Sequence, residues 1–251
     1  MKKLSEDLTN NNNYINEYYN KNKCSKDYFK NIETFKIVFI GNSCSGKTSI
    51  IEKYINNIII KNHYTTICID FKSKIYDINN LLNKNLSHDE KIFVNNYLKE
   101  NELIKLQIWD TSGCPKYRNL IKYYIKNTDL FILVIDITDN NFSNNIMSYF
   151  EDIDELYDEP EFLIVFNKID NNQNIINIIS LYKLDKYDHV EISCFDNNNI
   201  NNLFDKISLL LIKKYMTNIE KNKINDDFLN KKKLRNSICG VCCSNSKCYY
   251  V

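Results

Sequence analysis

Three short stretches carry residue types that handle phosphate and a purine base. GNSCSGKT, residues 41–48, sets Gly41 and Gly46 five positions apart with Lys47 and Thr48 directly after. Glycines at such points let a loop approach an anion more closely than any Cβ would allow, and backbone N–H groups at a helix start favour negative charge. A lysine ammonium then reaches the terminal phosphates, and a threonine hydroxyl suits magnesium. Gly41, Asn42, Ser43, Cys44, Ser45, Gly46, Lys47, Thr48 and Ser49 are therefore the candidate phosphate loop. In WDTSGCPKY, residues 109–117, Asp110 can hold magnesium through water and the Gly113 N–H can meet the last phosphate. In NKID, residues 167–170, the Asp170 carboxylate can accept two hydrogen bonds from guanine N–H groups, a pair that adenine does not offer.

Each stretch needs a strand end to position it. The runs FKIVFI, CIDFKSKIYDI, IKLQIWD, DLFILVIDIT, FLIVFNK and HVEISC read as six strands, and helical periodicity falls near 47–56, 117–126, 141–157, 174–183 and 200–215. Strands alternating with helices give an α/β fold, a six-stranded, mostly parallel sheet with helices on both faces. All three motifs follow strands, at the carboxyl edge where such sheets bind ligands. No crossover separates the second and third runs, so the second reads as an antiparallel edge strand reached by a hairpin. The hairpin tip, 79–101, carries Ser87 and Glu90 in a capping-box pattern ahead of Ile92, Phe93, Tyr97 and Leu98, which predicts a short helix. Residues 1–33, rich in Asn and Lys without periodicity, read as a disordered extension; 34–216 as one domain; and 217–251 as a flexible, basic, Cys-rich tail.

Over about residues 35–216 the chain resembles the small GTPases of the Ras superfamily, and the Rab branch in particular. GNSCSGKT, WDTSG and NKID carry the resemblance, and TTICIDF at 65–71, KYYI at 122–125 and DITD at 136–139 carry the branch. The resemblance implies a P-loop NTPase fold, GTP and GDP as ligands with Mg2+, and partners in the form of effectors, an exchange factor and a GTPase-activating protein. Thr66, nineteen residues after Lys47, would be the threonine of the first switch segment, reaching magnesium and the γ-phosphate. Thr48, Thr66 and Asp110 then make the metal set, while Asn167, Lys168, Asp170 and the loop Ser193, Cys194 and Phe195 hold the base. Phe71, Trp109 and Tyr124 fall where Rab proteins keep an aromatic effector surface, although three ordinary core aromatics would read the same way.

Thr66, Gly113 and Cys114 occupy the catalytic positions, and the departure lies at Cys114, where the family carries a glutamine that orients the attacking water. A thiol is a poor hydrogen-bond partner and too short for that role. Pro115 biases Cys114 toward extended backbone and stiffens the second switch segment. Phe195 stands where the family's loop has lysine, and Ile59 where an aromatic often covers the base. These features imply slow hydrolysis, with a GTP-binding module that does not hydrolyse as the alternative. A P-loop enzyme acting on adenine nucleotides is opposed by NKID.

With 33 basic and 32 acidic side chains the chain has no overall field to favour nucleic acid. It contains no apolar run of the ~18 residues a membrane span requires and no signal-peptide pattern. Cys248, fourth from the end, resembles a prenylation site, and Cys239, Cys242 and Cys243 offer further lipid attachment beside the basic cluster Lys231, Lys232, Lys233 and Arg235. A zinc site made of those cysteines is the structural alternative. The expected location is cytoplasmic, peripheral on the cytosolic face of an internal membrane.

Overall fold

The computed structural model describes residues 32–59, 65–99, 101–139, 143–171, 178–180, 183–194 and 197–243. Six strands form one sheet: β1 (Glu33–Ile40), β2 (Ile69–Asp77), β3 (Leu103–Thr111), β4 (Leu130–Asp136), β5 (Phe162–Asn167) and β6 (Asp188–Ile192). Their order is β2-β3-β1-β4-β5-β6, parallel throughout except for β2 against β3, where Phe71 lies opposite Trp109 and Ile69 opposite Thr111. The edge-hairpin expectation and the α/β architecture thus both match the structure.

Alternation along β1 sends Ile37 and Phe39 into one core and Val38 and Ile40 into the other. The helices are α1 (Lys47–Asn56), α2 (Asn79–Leu82), α3 (His88–Leu98), α4 (Arg118–Tyr124), α5 (Ser143–Asp154) and α6 (Asn197–Cys243). Helix α6 covers the first face with Ile200, Leu203, Phe204, Ile207 and Leu211, the i, i+3, i+4, i+7, i+11 stripe of an amphipathic helix. On the opposite face, Ile146, Phe150 and Ile153 of α5 meet Phe131, Phe162 and Ile164.

Helix α3 begins at a complete capping box: the Glu90 N–H donates to Ser87 Oγ at 3.3 Å and the Ser87 N–H to Glu90 Oε2 at 2.9 Å. It buries Val94 and Tyr97, while Ile92 is 45% exposed. The Tyr97 ring meets Tyr215 of α6 edge-on at 5.6 Å, and Lys213 pairs with Glu90 at 2.8 Å. The 79–101 segment is therefore docked on the C-terminal helix.

One expectation requires correction. The chain does not leave regular structure after 216, because α6 continues to Cys243. No Pro or Gly occurs from 197 to 239, so nothing in the sequence stops a helix already nucleated on the sheet, even where its apolar stripe fades. Its 47 residues span roughly 70 Å at 1.5 Å per residue. Cys239, Cys242 and Cys243 fall on its last turns, and Cys248, Phe195 and most of the 1–33 extension lie outside the described residues. Of the helix expected at 174–183, residues 178–180 and Lys183 are described: the first three are helical, and Lys183 stands in a turn at φ +53°. Among the described residues no helix is long and apolar enough to cross a membrane.

Candidate functional site

The phosphate loop connects β1 to α1. Gly46 stands at φ +101°, and a Cβ there would sit 2.1 Å from Asn167 Nδ2, so backbone conformation and crowding both require glycine. Cys44 takes φ +63° without that exemption. Helix α1 opens at Lys47 with no side chain capping its first turn and no acidic residue in it, which leaves N–H donors and the positive end of the helix facing a cleft of about 490 Å3.

Lys47 is 4% exposed and its ammonium donates to the carbonyls of Gly41 at 2.8 Å and Asn42 at 2.7 Å. Burial pulls its pKa down to about 8, an effect opposed by the negative charge of Asp110. Phosphate oxygens in the cleft would supply the anionic partners that the loop carbonyls only partly replace.

Thr48, Thr66 and Asp110 arrive from α1, the segment before β2 and the end of β3, and their oxygens converge. Thr48 Oγ1 donates to Asp110 Oδ2 at 2.6 Å and lies 3.0 Å from Thr66 Oγ1. Asp110 is 2% exposed, and burial raises its pKa to about 6. Among the described residues its Oδ1 has no hydrogen-bond partner. A buried carboxylate oxygen with an open valence beside two hydroxyls is an oxygen-donor set suited to a hard cation, and magnesium fits it.

Gly113 closes the floor of the cleft against the loop; a Cβ there would lie 2.2 Å from the Ser43 nitrogen and 2.3 Å from the Asn42 carbonyl carbon. The next residue, Cys114, has extended backbone (φ −79°, ψ 126°), as the following proline dictates, and opens the short 3-10 turn Pro115–Tyr117. Its N–H is held by Ser112 Oγ at 3.2 Å.

The base-side residues gather on the strand ends of β5 and β6. Asn167 is fully buried and its amide donates to the Ser45 carbonyl at 2.8 Å, tying this motif to the phosphate loop. Lys168 pairs with Asp136 at 2.5 Å, Asp170 is exposed at the rim, and Ser193 and Cys194 follow β6. Sequence reasoning missed two links here. The Cys194 thiol donates to Asn167 Oδ1 at 3.5 Å and so helps orient an amide whose other end holds the loop, and Asp136 fixes Lys168. Only the position of Asp136 at a strand end, in DITD, could have hinted at the second link. Phe71, Trp109 and Tyr124 do meet, with ring centroids 5.1 Å apart for the first pair and 6.2 Å for the second. Phe71 and Trp109 are half-buried and Tyr124 is 44% exposed, so the cluster is an aromatic surface and not a closed core.

With this geometry established, comparison with known proteins is direct. The Ras family model matches residues 36–213. The chain belongs to the Ras family. It is 29% identical over 193 residues to Ras-related protein SEC4 of Saccharomyces cerevisiae, covering 75% of this chain and 78% of that protein. Against Ras-related protein Rab-3C of Bos taurus the figure is 28% over 191 residues, covering 74% and 75%, and against Ras-related protein Rab-15 of Mus musculus 25% over 194, covering 74% and 80%. These relatives place this Ras-family chain on the Rab branch. Its ligands are GTP and GDP with Mg2+, and GTP hydrolysis is the activity of the family.

Proposed function

We propose that this Rab-branch GTPase is a GTP/GDP switch in intracellular vesicle trafficking whose intrinsic hydrolysis is slow. What supports the reading is one contrast: the oxygens of Thr48, Thr66 and Asp110 converge within hydrogen-bond reach, while the residue after Gly113 is a thiol on a proline-restricted backbone. In this reading residues 41–49 bind the phosphates, and Thr48, Thr66 and Asp110 would hold Mg2+, which when bound neutralises charge on the β- and γ-phosphates. Asn167, Lys168, Asp170, Ser193, Cys194 and Phe195 hold the guanine. Thr66 and Gly113 orient the γ-phosphate, and Cys114 leaves the attacking water without the amide that would position it.

The tail reading accompanies this. Lipid on Cys248, with a second on Cys239, Cys242 or Cys243, would hold the chain on the cytosolic face of an internal membrane, since a single chain anchors weakly. Effector, exchange-factor and activating partners follow from the family, and Phe71, Trp109 and Tyr124 are the surface offered to an effector. A second reading, a GTP-binding module without hydrolysis, is favoured by the same Cys114–Pro115 pair.

The test has two arms. Asp170→Asn should shift preference from guanine toward xanthine nucleotides by about 100-fold, because the amide reverses half of the donor–acceptor pattern; unchanged GTP selectivity would refute the base site. Single-turnover hydrolysis of GTP by the wild-type chain then separates a slow enzyme from a non-hydrolysing module.

A further inference from the structure

In the reading above two groups from different segments orient the γ-phosphate, Thr66 ahead of β2 and Gly113 after β3. One residue joins them. Ser112 stands directly before Gly113, and its N–H donates at 2.8 Å to the carbonyl of Cys68, two residues beyond Thr66. That bond extends the ladder of β2 and β3 past the pair of Ile69 and Thr111, at a residue whose φ of +63° turns the chain out of the strand. Ile67, between Thr66 and Cys68, is 79% exposed and gives this segment little apolar hold.

The side chain of the same serine reaches the other way. Its Oγ accepts the Cys114 N–H at 3.2 Å, a side-chain turn closed over two residues. The Gly113 N–H lies in the peptide unit between the two that Ser112 anchors, so its direction is set by both bonds. The base beneath is firm: Thr111 is 2% exposed and its hydroxyl donates to the Phe39 carbonyl at 2.6 Å. Beyond Gly113 the hold is weaker. Pro115 has no N–H to contribute, and the Tyr117 N–H, 3.0 Å from the Cys114 carbonyl, binds the corner to its own turn and not to the sheet. Ser112 is 4% exposed, yet it lines both the cleft of about 490 Å3 and a second cavity of about 280 Å3 behind the corner, so packing gaps flank it on two sides.

We propose that Ser112 is a positioning residue for the γ-phosphate, tying the Thr66 segment through its N–H and aiming the Gly113 N–H through its Oγ, so that the two contacts form together. The inference rests on the GTP/GDP reading above. A diphosphate lacks the group that Gly113 meets in that reading, and a ligand draws on a contact only where its bound states differ in it. The hydroxyl therefore favours the triphosphate over the diphosphate, by the roughly fivefold that one hydrogen bond supplies.

The nucleotide-free full chain, in magnesium, is titrated with a fluorescent GDP, which is then displaced by GDP or by a non-hydrolysable GTP analogue to give the ratio of the two affinities. Ser112→Ala keeps the backbone bond to Cys68 and removes the hydroxyl. It should shift the ratio about fivefold toward GDP and speed hydrogen exchange of the Cys114 amide, read by NMR in the GDP form, at least threefold. Ser112→Thr retains the acceptor oxygen and should return both readouts toward wild type, whereas Ser112→Val, of the same shape without that oxygen, should behave like Ser112→Ala. An unchanged ratio in Ser112→Ala overturns the proposal. Equal weakening of both nucleotides overturns it as well, because the serine would then support the cleft as a whole, and so does a Ser112→Val chain that recovers as Ser112→Thr does. A wild-type chain that binds neither nucleotide counts against the functional reading itself, while wild-type binding with an unshifted variant ratio counts against the role of Ser112 alone.

Discussion

Ser45, Lys47, Asp110 and Asn167, which build the phosphate side of the site, are 0, 4, 2 and 0% exposed, whereas α4 a few residues beyond Gly113 has no buried residue. The first region is held by backbone crowding: glycines at 46 and 113 where no Cβ fits, and a carbonyl of the loop gripped by Asn167. The second is held by long charged side chains at the surface. Buried polar networks tolerate few changes because every lost partner leaves a desolvated group behind, while surface clamps can change partners at little cost. Two of the departures from the family pattern noted in the sequence, Cys114 and Pro115, fall just ahead of the loosely held region, while the glycines and Lys47 of the phosphate loop match that pattern.

The contrast predicts where substitution is most damaging. Lys47→Ala and Thr48→Ala should each lower affinity for magnesium-nucleotide by about 100-fold or more, since each removes a charged or metal-directed contact from a buried cradle. Equilibrium titration with a fluorescent GDP decides this, and retained affinity would end the distinction between a tight and a loose region.

Asp110 offers a second test with opposite signs for two readouts. Burial holds its carboxyl up at about 6, so the fold takes a proton before the unfolded chain does. Stability of the nucleotide-free protein therefore falls as pH rises from about 4 to 6, and the deficit persists at neutral pH. Asp110→Asn should stabilise the nucleotide-free chain by about 2 kcal/mol at pH 7 and leave it like wild type below pH 4. Magnesium-dependent nucleotide affinity should fall in the same variant. Denaturant titrations at the two pH values check the first claim, and loss of stability at pH 7 would show that the carboxylate is not strained.

Much of the tight region was legible in the sequence because its geometry is local. GNSCSGKT and NKID each place several functional atoms within a few bonds of one another, and strand alternation locates both at the same sheet edge. The convergence of Thr48 with Asp110 is not local, since the two are 62 residues apart, and only the family pattern joined them before the structure did. The contacts that hold α4 were unreadable for a related reason: Arg118 pairs with Asp152, and Lys36 donates to the Tyr124 carbonyl, yet these are ordinary surface charges in sequence, and nothing in their spacing says that they meet. The run of α6 to Cys243 is not legible in the sequence because its fading periodicity marks the end of the helix's packing and not the end of the helix.

The corner itself is tested by restoring what the family has there. Cys114→Gln together with Pro115→Glu should raise single-turnover GTP hydrolysis about tenfold, since an amide can accept from the attacking water and donate toward the γ-phosphate. The single Cys114→Gln should gain less while the proline keeps residue 114 extended. A double variant no faster than wild type would mean that the corner, however it differs from the family, does not limit the reaction.

The smallest effect belongs to a third attachment, where an ion pair has the apolar base that α4 lacks. Glu90 bonds Lys213 across α3 and α6 above Tyr97 and Tyr215, and it also closes the capping box on the Ser87 N–H. The bond from Lys213, then the Ser87 N–H, lowers its pKa to about 2 from 4.5. An acid depressed in this way contributes stability that is fully present above pH 4.5 and is lost as pH falls toward 2. Glu90→Gln should therefore cost about 1 kcal/mol at pH 7, in the range of a lost helix cap, and the difference from wild type should close between pH 4.5 and 2. Because Leu81, Val94 and Tyr97 stay buried, amide exchange along α3 should rise only a few-fold, less than over α4, which buries no residue, when the Asp152 carboxylate that pairs with Arg118 and Lys122 is removed by Asp152→Ala. If α3 instead opens as readily as α4, apolar backing is not what separates the two attachments, and the contrast must lie in the capping box alone.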